Sequence, residues 1–218
     1  MRVQELKVYT FDELSEPAKE RARDWWRRVA ADDFSFHADD VMHDCADGLA
    51  LIGIDIRKRP VKLMGGGTRM EPNIYYSGFS SRGDGASFSG SYAYVKGGAR
   101  KLREDRPTGI DSGHVGNNEI NRIASELDAV QRRHFYQIQA RITASSYRGF
   151  GLDVDVEWAD GRPVNSDDEE TVREAMRDVA SWIYRTLERE YEYQNADEQV
   201  DDTIRTNEYE FTEDGRRA

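Results

Sequence analysis

From Ala86 onward the chain alternates with a period of two. Ala86, Phe88, Tyr92 and Tyr94 fall on one side with Gly90, and Ser87, Ser89, Ser91 and Ala93 fall on the other. Successive strand side chains point to opposite faces, so this pattern predicts a strand with one aromatic face and one face of hydroxyls. Ile74 to Phe79 is the expected partner strand. Ser80 to Gly85 is the expected hairpin connection, with positive φ at Gly83 or Gly85. Two further strands read the same way. Tyr136, Ile138, Ala140, Ile142 and Ala144 alternate with Gln137, Gln139, Arg141 and Thr143 over Phe135–Ser145. Leu152, Val154, Val156 and Trp158 alternate with Asp153, Asp155 and Glu157. The apolar set should be buried and the carboxylates exposed.

Helical spacing governs the rest. Ser15 is a plausible N-cap with Pro17 in the first turn, and Leu14, Ala18, Ala22, Trp25, Trp26 and Val29 form a stripe. A second helix is expected over Ser35–Ile52, with Val41, Cys45, Leu49 and Ile52 inward and Gly53 at its end. A third is expected over Asn118–Arg133 through Ile120, Ile123, Leu127 and Val130. Ser166 with Glu169 reads as a capping box that opens the longest helix. Val172, Met176, Val179, Ile183, Leu187 and Tyr191 point inward from it. A break is expected at Asn195, then a helical turn or two, then a short strand at Tyr209–Phe211. Val3–Phe11 reads as a strand. Ile54–Met64 reads as another, split or set at an edge by Pro60. Gly65–Gly67 reads as a flexible turn, and Lys96–Gly109 as a basic, Gly-rich loop.

These elements predict an α+β fold, an antiparallel sheet with helices packed mainly on one face. The other face would be polar, carrying Ser87, Ser89, Ser91, Gln137, Gln139, Arg141, Asp153, Asp155 and Glu157. The 218 residues suit a single domain, with residues 195–218 as an acidic C-terminal extension.

Three stretches carry a resemblance to a known group. SGFSSRGDGASFSGSY at 77–92, FDELSEPAKERARDWWR at 11–27 and NEYEFTEDGRR at 207–217 together resemble a family of accessory proteins from tailed phages and prophages. Some of its members are labelled antitoxins. The resemblance implies a phage or mobile-element origin and carries no catalytic residues with it. Ser81-Arg82 stands where a Gln-like residue is expected before the glycine.

Charge is spread unevenly. The net charge is −11, and 33% of residues are charged. Residues 151–214 hold 21 acidic and 6 basic side chains, whereas 57–106 hold 11 basic and 4 acidic. An acidic face repels phosphates and favours a basic partner, so nucleic acid is disfavoured there. No apolar run is long enough for a bilayer, and the N-terminus lacks a signal-peptide core, so a cytoplasmic protein without membrane contact is expected. The one cysteine, Cys45, excludes an internal disulfide and is expected to be buried.

Candidate chemistry is sparse. His37, Asp40, His43 and Asp44 could gather on successive turns of one helix, yet their spacing matches no metal motif of known mechanism, and a solvated helix face is the better explanation of them. Asp84 is either a turn residue or a carboxylate presented at a loop tip. No cofactor is implied. The expected function is non-enzymatic binding of a host or phage protein with a basic surface, in the manner of a counter-defence inhibitor of restriction or CRISPR machinery. Arg82, Asp84, Asp153, Asp155, Glu157, Glu170, Glu174 and Asp178 are the candidate contact residues. The alternatives are an antitoxin, and a metal-dependent hydrolase using Asp84, His114, Asp153 and Asp155.

Overall fold

The computed structural model describes residues 7–30, 34–104, 116–145 and 150–218. In order its main elements are α1 (Glu16–Ala30), α2 (Phe34–Leu51), β1 (Ile54–Ile56), β2 (Lys58–Lys62), β3 (Thr68–Pro72), β4 (Ile74–Tyr76), β5 (Ala86–Phe88), β6 (Gly90–Ala93), α3 (Gly98–Glu104), α4 (Gly116–Arg133), β7 (Ile138–Ser145), β8 (Gly151–Trp158), α5 (Ser166–Asn195) and α6 (Asp197–Thr206). The fold is α+β, and all its strand pairs are antiparallel. The chain divides into two compact units, residues 39–188 and residues 1–38 with 189–218. The division falls inside α2 and inside α5.

The central unit holds a four-stranded sheet ordered β1-β6-β7-β8. Its inner face is apolar: Ile54, Ile56, Tyr92, Ile138, Ala140, Ile142, Val154 and Val156 are all buried. The helices supply matching stripes, Ile120, Ile123, Leu127 and Val130 from α4, and Val172, Met176, Val179, Ile183 and Leu187 from α5, all buried. Each large aliphatic side chain so buried contributes roughly 1.5–3 kcal/mol. Gln131 fixes the entry to β7. Its Oε1 accepts from the Ile138 amide at 3.2 Å, while its Nε2 donates to the Ile138 carbonyl at 2.7 Å and the Tyr92 hydroxyl at 3.2 Å. Phe135 and Tyr136 are left-handed, with φ of 54° and 62°. They form a turn, so the strand expected from Phe135 begins only at Ile138.

The long helix α5 is capped one residue before Ser166. Asn165 Oδ1 accepts from the Asp168 amide at 3.0 Å, and Asn165 Nδ2 donates to Asp168 Oδ2 at 2.8 Å. The cap is therefore Asn165, not Ser166, and the buried Asp168 carboxylate, besides accepting from the Asn165 side chain, takes Arg133 and His134 as partners. Arg133, then Asn165 and His134, hold its carboxyl well below the usual carboxylate range against the opposing effect of burial. Tyr191, expected inward, is exposed and stacks edge-on with Phe34.

Two small ribbons flank the sheet, β2 with β3 and β4 with β5. Pro60 is tolerated in β2 because the two-stranded ribbon leaves it an edge position. The β3 strand was not expected: Thr68–Pro72 lacks alternation, and the glycine run that precedes it is a hairpin turn with Gly66 at φ 89°. The segment read as the basic loop contains α3, whose Leu102 is buried.

The terminal unit has its own core of Phe11, Leu14, Ala18, Ala22, Val200, Ile204 and Phe211. Trp25 and Trp26 are both partly buried against it, and both stack with Tyr209. Arg23 grips Asp201 with two bonds of 2.7 and 2.8 Å, joining α1 to α6. The segment 195–218 thus packs with the N-terminal helix. The expected strand Val3–Phe11 contracts, within the described residues, to a bridge between Tyr9 and Phe211. Thr10 turns the chain instead: its amide donates to Glu13 Oε2 at 2.8 Å, opening a short 3-10 turn. Tyr209–Phe211 likewise supplies only bridges. Val29, assigned to the α1 stripe, is exposed.

Candidate functional site: the open face of the sheet and the hairpin-tip loop

The helices cover one face of the four-stranded sheet, and its other face carries polar side chains. Strand register sets these in rows. Asp55, Ser91, Arg141 and Asp155 are successive partners across β1, β6, β7 and β8. Ala93, Gln139 and Glu157 form the next row, where Gln139 Nε2 donates to Glu157 Oε1 at 3.1 Å. Asp153 sits opposite Thr143. Asp153 and Asp155 are exposed and Glu157 is half-buried, while Val154 and Val156 are buried as expected. Leu152 and Trp158, at the strand ends, are only half-buried. A shallow hollow of about 390 Å³ opens on this face, lined among others by Asp55, Arg57, Ser91, Arg141 and Glu157. Among the described residues neither Arg57 nor Arg141 makes an ion pair.

Two serines expected on this face are not there. Ser87 and Ser89 are buried, and Ser89 Oγ accepts from the Ala144 amide at 3.0 Å. The alternation breaks because β5 pairs with β4 rather than continuing into the main sheet, and the chain steps at Ser89 before β6. Gln137 precedes β7 in the turn and does not join the face.

The loop between β4 and β5 is organised by Asp84. Its Oδ2 accepts from the Ser80 and Ser81 amides at 2.9 and 2.6 Å, and its Oδ1 from the Ser77 hydroxyl at 2.9 Å. The Ser81 amide and the Ser77 hydroxyl hold this carboxyl below its ordinary range. The connection is a hairpin as expected, but neither Gly83 nor Gly85 has positive φ. Asp84 closes the loop with side-chain bonds, so no left-handed residue is required. Gly85 serves close approach instead, since a Cβ there would lie 3.3 Å from Phe150. Arg82 is exposed at the tip, beside a groove of about 500 Å³ that Phe150, Leu152, Arg177, Tyr184 and Arg185 also line. The Tyr184 hydroxyl donates to the Gly78 carbonyl at 3.2 Å and fastens the loop to α5.

The three carboxylates of α5 lie apart from those of β8. Glu170 is paired with Arg177 at 2.7 Å, and Asp178 with Arg122. Glu174 is exposed, without an ion pair among the described residues. Arg173 Nε donates to the Val154 carbonyl at 3.1 Å, covering part of the edge strand β8. The acidic stretch is therefore a mosaic in which arginines answer Asp168, Glu169, Glu170 and Asp178 on the helix. Sequence reasoning missed Arg122 because it comes from α4, far away in the chain, whereas Arg177 lies two turns from Glu170 on the same helix and was legible. It also missed Asp168, His134 and Arg133, although Asn165 before an acidic first turn was a legible signal.

Among the described residues, no three His, Cys, Asp or Glu side chains gather as a metal site. His43 Nδ1 lies 2.8 Å from the Asp39 carbonyl on its own helix, and His37 falls in the terminal unit beside Glu190. His114 lies outside the described residues. No helix among them is long and apolar enough to cross a membrane.

The central unit is thus an α+β module built on an open-faced antiparallel sheet, with charged side chains in register across that face. The chain belongs to the family described as "Domain of unknown function (DUF8835)", whose model matches residues 37–197. That span takes in the whole central unit, leaves out α1 and ends at the first residue of α6. No curated protein and no solved structure matches the chain.

Proposed function

We propose that this protein is a non-enzymatic binding protein of phage or mobile-element type. It docks the open face of its sheet on a basic surface of a host protein and acts as a counter-defence inhibitor. One observation carries the reading: among the described residues, a sheet face that no helix covers presents Asp55, Asp153, Asp155 and Glu157 against two cations, Arg57 and Arg141. Basic sites that normally hold nucleic acid are the natural complement of such a face. The resemblance of residues 11–27, 77–92 and 207–217 to phage accessory proteins supports the biological setting. The geometry favours β8 over α5 as the acidic contact, because Glu170 and Asp178 are already paired. A hydrolase built on Asp84 is poorly supported, since both of its oxygens are engaged within its own loop.

The test is capture from host lysate by the tagged full chain, compared with Asp153→Asn/Asp155→Asn and with Glu170→Gln/Asp178→Asn. The reading expects a captured protein with a basic surface, lost or sharply weakened by the strand pair of substitutions and by salt above about 0.5 M, where the Debye length shrinks to a few ångströms. Capture indifferent to the strand substitutions sinks it.

A further inference from the structure

The β2–β3 ribbon differs in charge and exposure from everything around it. Residues 58–72 hold four basic side chains and one acidic, in a chain of net charge −11. The acidic one, Glu71, is buried at the base, 2.8 Å from Arg69 and 4.0 Å from Arg59. Register separates the two faces of the ribbon. Arg59, Val61, Arg69 and Glu71 share the face that is tied down, where Arg69 also pairs with Asp39. Lys58, Pro60, Lys62, Thr68, Met70 and Pro72 share the opposite face, and all but Pro72, buried at the base, are exposed. Neither lysine makes an ion pair among the described residues. At the tip Leu63 is 47% and Met64 fully exposed. Gly65 and the left-handed Gly66 turn the chain immediately after them.

We propose that this ribbon is an arm that binds duplex DNA, laying Lys58 and Lys62 along phosphates and setting Leu63 and Met64 into a groove. Two strands about 4.8 Å apart fit a major groove about 12 Å wide. Apolar tips on basic supports are the means by which architectural proteins wedge base steps. The acidic body does not forbid the contact. Five paired residues carry Lys62 and the tip about 17 Å from the base, where Lys58 sits, and so beyond the Debye length of roughly 8 Å at physiological salt. A narrow two-stranded ribbon with basic side chains on its exposed face and an apolar tip has the width and chemistry of a groove-reading arm, so the observations favour nucleic acid. The inference is independent of the partner proposed for the sheet's open face.

The test uses the full chain and a fluorescent 30-base-pair duplex of mixed sequence, read by anisotropy over a salt series. Lys58→Ala/Lys62→Ala should weaken binding about tenfold or more at ~50 mM salt and lower the slope of log K against log salt by roughly 2. Leu63→Ser/Met64→Ser should weaken binding several-fold with the slope unchanged. Asp153→Asn/Asp155→Asn should leave duplex affinity in place. These positions are exposed, so an unchanged thermal midpoint is the folding control. No binding to duplex at ~50 mM salt, binding indifferent to the arm variants, or binding of poly-glutamate as tight as that of duplex and lost with the same lysines each overturns the proposal. The last outcome reassigns the arm to an acidic protein.

Discussion

The two ribbons that follow one another in the chain solve the same problem in opposite ways. In β4–β5, Ile74 and Phe88 face each other and are buried, and the strand Ala86–Phe88 is buried on both sides. In β2–β3 no residue from Lys58 to Met70 is buried. The first ribbon is held by packing and closes its long loop with an aspartate. The second is held by its ladder and by contacts at its base, and turns on a glycine with φ 89°. An isolated two-stranded ribbon is marginal in water. The buried hairpin therefore belongs to the core, and the exposed one is free to serve as a surface.

The contrast can be broken most sharply at Phe88, which is fully buried. Phe88→Ala should cost about 3–5 kcal/mol in urea unfolding, the loss expected for a large aromatic cut from a packed site. A cost below about 1 kcal/mol would show that β4–β5 is as dispensable as the arm. Next in size is Gly66→Ala. There is open space around a Cβ at that position, so the penalty comes from left-handed backbone alone, about 1 kcal/mol. Its effect should appear as faster amide exchange confined to residues 58–72, with the global midpoint nearly unchanged.

Acid separates the two turns without any mutation. The carboxyl of Asp84 is held below its ordinary range in the folded loop. Its contribution is complete above the unfolded value of about 3.9 and is lost as pH falls through the lowered folded value. Protection factors at Ser80 and Ser81 should therefore drop below about pH 4. Those of Leu63–Gly67, which contain no titrating side chain, should not change relative to their intrinsic rates. Equal loss in both turns would mean that global unfolding, led by groups such as Asp168, comes first. The smallest effect is expected from Met64→Ser. A side chain that touches nothing should move stability by less than about 0.5 kcal/mol, and a larger shift would give the tip a structural role within the fold.

What the sequence made legible follows the same divide. Strong period-two runs with apolar inner faces, β7 and β8, emerged with the expected orientation, and so did the stripes of α4 and α5. These segments advertise their burial locally. The β2–β3 hairpin was hidden because exposure on both faces leaves no alternation to read, and Gly65–Gly67 looked like slack. Ser87 and Ser89 were misplaced because a strand that breaks and changes partner keeps the same alternating letters. The candidate site was half legible. Asp153, Asp155 and Glu157 stand where the pattern put them; Glu170 is answered by Arg177 two turns along its own helix, whereas Asp178 gained Arg122, a partner whose proximity only the tertiary fold creates. Asp84 was visible as a turn former, and its three acceptor bonds were not.

The terminal unit is assembled from both ends of the chain, with Tyr9 bonded to Phe211 and Arg23 to Asp201. On a ribosome this sets an order of events. Residues 39–188 can gather all their own strands and most of their helical stripes while α1 still lacks Val200, Ile204 and Phe211. Until the last segment emerges, Trp25, Trp26 and Phe11 remain exposed and open to chaperones. Domains fold as units during synthesis at about 5–20 residues per second, so that exposure lasts for roughly ten to a few tens of seconds. The closing residues thus act as a clasp on a piece made well over a hundred residues earlier. Stalling synthesis just before Val200 should leave a nascent chain with a native sheet and an unsealed amino-terminal helix.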